Sequence, residues 1–197
     1  MPEEEATPIV TYITWKPGFD SIVGIINCQH KGIMRFINEW YSDVYYKRIS
    51  NLNIFDYMKD KYQFLQTFSD SHFVFEDALL TILTEKLGFP EKVYTAHLNA
   101  HSKFINNFMN PLFMQIEMFD AACHDADVRE LTIDALKDVA HWWYNHIKDS
   151  CAGKTVSYDH YYRLYIESLC EKDKILLFNE LLMFVESCPQ KFSCTTW

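Results

Sequence analysis

Five histidines and one glutamate carry most of the chemistry this chain can do: His30, His72, Glu76, His97, His101 and His146. Imidazole nitrogen and carboxylate oxygen together suit iron, manganese or zinc. His72 and Glu76 stand four residues apart, as do His97 and His101. On a helix that spacing puts both members of a pair on one face. Two such pairs on separate helices can point at one shared place. With His30 and His146 supplied by two further segments, the set reads as a two-metal site inside packed helices. His124, His141 and His160 have no such spacing and read as core or surface residues.

The elements that must hold these residues read as helices. The chain has 197 residues, enough for one domain with a real core and no disulfide staples. Apolar residues make up 49%, which argues against overall disorder, and five glycines are too few for many short strands and turns. Asn27 can cap a first helix whose stripe Ile33, Met34, Ile37, Trp40, Tyr41 and Val44 has helical period. A second helix is expected after Asn53 to about Lys86, stopped by Gly88, with Pro90 starting the third. Pro111 should bend or end that third helix, leaving Phe113 to Phe119 as a second helical piece. The polar run Cys123 to Asp127 reads as a loop, and a fourth helix runs from about Val128 through His146 to a stop at Gly153. Helical patterns recur over Tyr158–Leu169 and Lys174–Glu186. The expected fold is all-α: an antiparallel up-down four-helix bundle over residues 27–153, an N-terminal arm over 1–26 and a C-terminal helical extension over 154–197.

Charge and cysteine usage narrow the setting. The net charge is −9 and no basic stripe stands out, so neither nucleic acid nor an anionic membrane surface is an expected partner. No apolar run reaches the roughly 18 residues of a membrane span. The start, Met-Pro-Glu-Glu-Glu-Ala, lacks the basic and apolar segments of a secretion signal. The six scattered cysteines then read as reduced thiols in a cytoplasm, although Cys188 and Cys194 could pair under oxidation.

Read in order, several segments resemble the hemerythrin family. Ile13-Thr14-Trp15-Lys16 resembles its N-terminal arm, and Val23-Gly24-Ile25 the lead into its first helix. Gln29-His30-Lys31 resembles Q-H-K, and His72-Phe73-x-x-Glu76 resembles H-F-x-x-E. Gly88-Phe89-Pro90 is similar to a G-Y-P turn, His97-x-x-x-His101-x-x-Phe104 to H-x-x-x-H-x-x-F, and Trp142-Trp143-x-Asn145-His146-Ile147 to W-L-x-N-H-I. The resemblance covers about residues 13–151. It implies a non-haem di-iron centre that binds molecular oxygen, with two iron ions as cofactor. His97, His101 and His146 would hold one iron, His30 and His72 the other, and Glu76 would bridge them, leaving one iron with an open position. Phe73, Leu98, Phe104 and Trp142, next to these ligands in sequence, would line a dry pocket.

The chain departs from the family where an aspartate is expected five residues after the last histidine; Cys151 stands there instead. Asp149 is close in sequence but points roughly 160° away from position 151 on an ideal helix. A thiolate keeps the negative charge yet offers one donor atom in place of two, and it oxidises readily beside iron. Asn27 also replaces an aspartate, and the connections Glu76–His97 and His101–His146 exceed the family's lengths. The sequence therefore supports an oxygen-binding protein first. A redox, oxygen, peroxide or nitric oxide sensor or scavenger with a thiol-modified site is the alternative, followed by a metal-free helical interaction module. It shows neither a further acid nor a substrate cleft for an enzymatic role, and leaves the oligomeric state open.

Overall fold

The apolar stripe of the first segment becomes the buried face of α1 (Gly24–Tyr45): Ile33, Met34, Ile37, Trp40, Tyr41 and Val44 are all buried. The computed structural model describes residues 11–16, 19–46, 49, 54–119, 125–147 and 158–187. Among the described residues every regular element is helical, and the fold is all-α. After α1 come α2 (Ile54–Leu87), α3 (Glu91–Phe104), α4 (Asn110–Met118), α5 (Asp125–Ile147), α6 (Tyr158–Ser168) and α7 (Glu171–Ser187). No helix among them is long and apolar enough to cross a membrane.

α1 begins at Gly24, three residues before the expected start, because Asn27 ties down the incoming chain instead of capping the helix. Its side-chain amide donates to the Ser21 carbonyl at 2.7 Å and its Oδ1 accepts from the Ser21 N–H. Ser21 Oγ in turn accepts from the Val23 N–H at 3.1 Å. Further out, the backbone N–H groups of Tyr12 and Ile13 both donate to Asn38 Oδ1 at 2.9 Å, and Asn38 Nδ2 returns a bond to the Ile13 carbonyl at 2.8 Å. The arm is thus fastened to α1 by two side-chain amides, Asn27 and Asn38.

α2 stops where the sequence places the stop. Gly88 has φ +79°, the left-handed conformation with which glycine ends helices, and the Phe89 N–H reaches back six positions to the Leu83 carbonyl at 2.9 Å. Pro90 then precedes α3, accepting from the Val93 N–H at 2.9 Å. Pro111, expected to bend or end the third helix, falls at the second position of α4, and the helical run continues past it. The chain passes through a π-helical turn, Ile105–Met109, directly into α4. The Asn110 N–H bonds to the Ile105 carbonyl, a spacing of five residues, with right-handed helical dihedrals at both positions. The shifted bonding register accommodates a residue that has no N–H to give. α5 starts at Asp125, inside the stretch expected to be a loop; Cys123, His124 and the expected stop at Gly153 lie outside the described residues.

Two apolar cores form. The first gathers Ile33, Ile37, Trp40, Met58, Leu65, Phe68, Phe104, Leu112, Leu136 and Trp143, from α1, α2, α3, α4 and α5. The second gathers Val23, Ile26, Phe75, Leu79, Leu83 and Phe89 with Tyr162, Ile166, Leu177 and Leu181 of α6 and α7. The C-terminal pair is thus part of a shared core. At 34 residues, α2 is about 51 Å long and runs through both. Arg129, buried on α5, closes the end of α1: its guanidinium donates to the Ile49 carbonyl at 2.8 Å and the Val44 carbonyl at 3.4 Å.

Candidate metal centre

Between the two cores lies a polar layer. On α1, His30 falls between Ile26 of the second core and Ile33 of the first; on α2, His72 and Glu76 fall between Phe68 and Leu79. His97 and His101 occupy α3 ahead of Phe104, and His146 follows Trp143 on α5. All six side chains are buried, four of them completely. A polar group inside an apolar interior is costly unless satisfied, so six together point to a shared partner.

Their donor atoms crowd one another. Oε2 of Glu76 lies 3.0 Å from His97 Nε2 and 3.2 Å from Nε2 of His72, His101 and His146. One carboxylate oxygen offers about two lone pairs, too few to accept four such bonds. His30 Nε2 sits 3.3 Å from His72 Nε2, where two bare lone pairs would repel. Metal cations fit both contacts. Two donors each about 2.1 Å from one ion, at a right angle, stand about 3 Å apart. The atoms fall into two overlapping groups, His30–His72–Glu76–His146 and Glu76–His97–His101–His146, each with its donor atoms within 4.8 Å of one another. The buried cluster can hold a metal ion.

The electrostatics put four of the six candidate ligands, His30, His97, His146 and Glu76, in the form a metal needs. Burial, aided by neighbouring imidazoles, drives His30 well below its ordinary range; burial also lowers His97 and pushes His146 down to about 3. These rings stay neutral at physiological pH and keep a lone pair available. For Glu76 burial works the other way, yet His72, His97 and His146 overcome it and hold the carboxyl well below its ordinary value, so it remains ionised. His101 is also opposed by burial, but Asp77 and Glu76 win and raise it.

Several neighbours orient the cluster. Gln29 Oε1 lies 3.1 Å from His72 Nδ1, fixing that nitrogen as the donor and leaving Nε2 for the centre. Asp77 Oδ1 lies 3.3 Å from His101 Nδ1 and places a negative charge beside that ring on α3. Tyr162, entering from α6, donates its hydroxyl to Glu76 Oε1 at 3.1 Å. Phe73 stacks on His101 with ring centres 3.9 Å apart, and Trp142 on His146 at 4.6 Å. Phe104 packs against Trp142 at 4.2 Å, and Trp143 lies 5.1 Å from His72. Of the expected lining residues, only Leu98 stands apart: it is half-buried and joins neither core.

Six of the seven expected ligands therefore meet. The seventh, Cys151, lies outside the described residues. His141 is exposed, while His124 and the His160 side chain lie outside the described residues. Sequence reasoning gave no role to Gln29, Asp77 or Tyr162. Asp77 directly follows a ligand, and Gln29 directly precedes one, which is the available signal; for Tyr162 there was none beyond a tyrosine-rich segment. No family model matches this chain, and neither a curated protein nor a solved structure matches it.

Proposed function

We propose that this is a hemerythrin-like, non-haem di-iron protein that binds molecular oxygen, with α1, α2, α3 and α5 acting as the four rods of an up-down bundle. The observation that carries the reading is the pair of overlapping buried groups that share Glu76 and His146. A carboxylate common to two donor groups is what a bridged pair of ions requires. His97, His101 and His146 would hold one ion and His30 and His72 the other. Ferrous iron, when bound, supplies the electrons that oxygen capture needs. The protein's own part is to keep His30, His97 and His146 neutral and Glu76 ionised. Phe73, Trp142 and Trp143 wall the imidazoles off from water, which strengthens every charge interaction inside. A reducing, cytoplasmic setting agrees with the cysteine usage and with a ferrous resting state.

The test is anaerobic loading of the full chain with ferrous iron, removal of excess metal, and metal analysis. Retention of about two irons per chain is expected, as in other carboxylate-bridged bundles. Air should then produce a visible absorption band that a zinc-loaded sample lacks. A protein that retains no iron would sink the proposal; iron without an oxygen-dependent band would leave a metal site but remove oxygen binding.

A further inference from the structure

We infer that Tyr162 is a positioning residue of the metal centre, and that the α6–α7 pair therefore forms part of the site. The inference rests on the metal reading above. Glu76 is completely buried, and its two oxygens have different surroundings. Oε2 faces the imidazoles of His72, His97, His101 and His146. Oε1 takes the Tyr162 hydroxyl at 3.1 Å. The terminal torsion of a glutamate is soft and nearly two-fold, so packing alone fixes it poorly. A hydroxyl aimed at one oxygen removes that freedom and presents the other to the ligands. Tyr162 is itself held firmly. It is completely buried in the second core with Ile166 of its own helix and Phe75 and Leu79 of α2. One turn further along α6, Tyr165 bonds through its hydroxyl to the Leu87 carbonyl, pinning the helix to the end of α2. The reach of Tyr162 is thus set by contacts at both ends of its own turn. Without the hydroxyl, a buried carboxyl oxygen would have one fewer donor, and the carboxyl group would be free to turn.

Cobalt(II) titration of the full chain under argon tests this, since its visible bands report ligand geometry without redox chemistry. Three proteins are compared: the native chain, Tyr162→Phe and Tyr162→Leu, each checked for helix content by circular dichroism. Tyr162→Phe keeps the ring and loses only the hydroxyl. It should retain native helix content yet bind cobalt about 10–100-fold more weakly, the usual cost of losing a partner that orients a ligand, with altered bands. Native affinity and native bands in Tyr162→Phe would overturn the inference. If Tyr162→Leu alone then weakened binding, ring packing would be the whole role of Tyr162. A native chain that binds neither cobalt nor iron would overturn the metal reading itself, a result distinct from an unchanged phenylalanine variant.

Discussion

Glu76 is the residue on which the centre turns, because all four imidazoles nearest it approach the same oxygen. Glu76→Gln keeps the shape and removes the charge. An amide cannot replace an anionic bridge between two cations, so affinity should fall by more than the ~10–100-fold that an orienting partner costs. Metal analysis after iron loading measures it; a glutamine variant with native iron content would mean the carboxylate is not a ligand. Asp77→Asn is the milder companion. It takes away the charge beside His101 Nδ1 and should weaken metal binding about tenfold while leaving the helices intact. At this scale the ligands were legible from sequence because spacing of four residues is a direct image of one helix face. Their orienting partners were not. Gln29 and Asp77 look like ordinary surface residues in a string of letters, and only the packing of α1 against α2, and of α2 against α3, gives them a target.

Helix boundaries divide in the same way between local and tertiary causes. The end of α2 is local: a glycine at φ +79° is encoded by the glycine itself. Gly88→Ala would meet only the Tyr165 hydroxyl at 3.6 Å, an ordinary contact, so strain in the left-handed backbone is the main penalty. That should be about 1–2 kcal/mol, or a few degrees in Tm, measured by thermal melting. An unchanged melt would mean the turn relaxes to another geometry. The start of α1 is not local. Asn27 has good capping chemistry, yet it is used to hold Ser21, and the helix starts earlier without a side-chain cap. Passage through Pro111 likewise depends on a π turn that no composition rule announces. Asn38 shows a tertiary link with a measurable outcome. Asn38→Ala strips the acceptor from two backbone N–H groups and should cost about 1–3 kcal/mol. Amide exchange at Tyr12 and Ile13 should rise with it; continued protection there would show that Trp15 and Phe19 hold the arm unaided.

For the whole molecule, a polar layer clamped between two apolar cores makes stability depend on protons. The second core includes α6 and α7, so the polar layer has an apolar wall on both sides and its imidazoles are dehydrated. His30, His97 and His146 are consequently lowered from the ordinary value of 6.5, His146 to about 3. Once unfolded, each takes a proton as pH drops through 6.5, whereas in the fold each stays neutral. Below 6.5 the unfolded chain therefore binds more protons, and the fold weakens with acidification by about 1.4 kcal/mol per pH unit for each net proton. His101 opposes this, because its raised value lets the fold hold a proton that the unfolded chain releases; its contribution is present at low pH and fades as pH rises through the folded value. Three lowered imidazoles against one raised leave the net slope positive between the folded values and 6.5. Glu76 adds to the loss only further down, where its stabilisation, present above its ordinary 4.5, disappears as pH falls through its lowered value. Thermal melts of the metal-free chain should thus show Tm falling from pH 7 to pH 5. Iron bound as proposed should raise Tm at neutral pH by stabilising only the folded form, and this margin should shrink over the same interval as protons displace the metal. A metal-free Tm that stays level from pH 7 to pH 5 would mean that water reaches the imidazoles and that the layer is not dry.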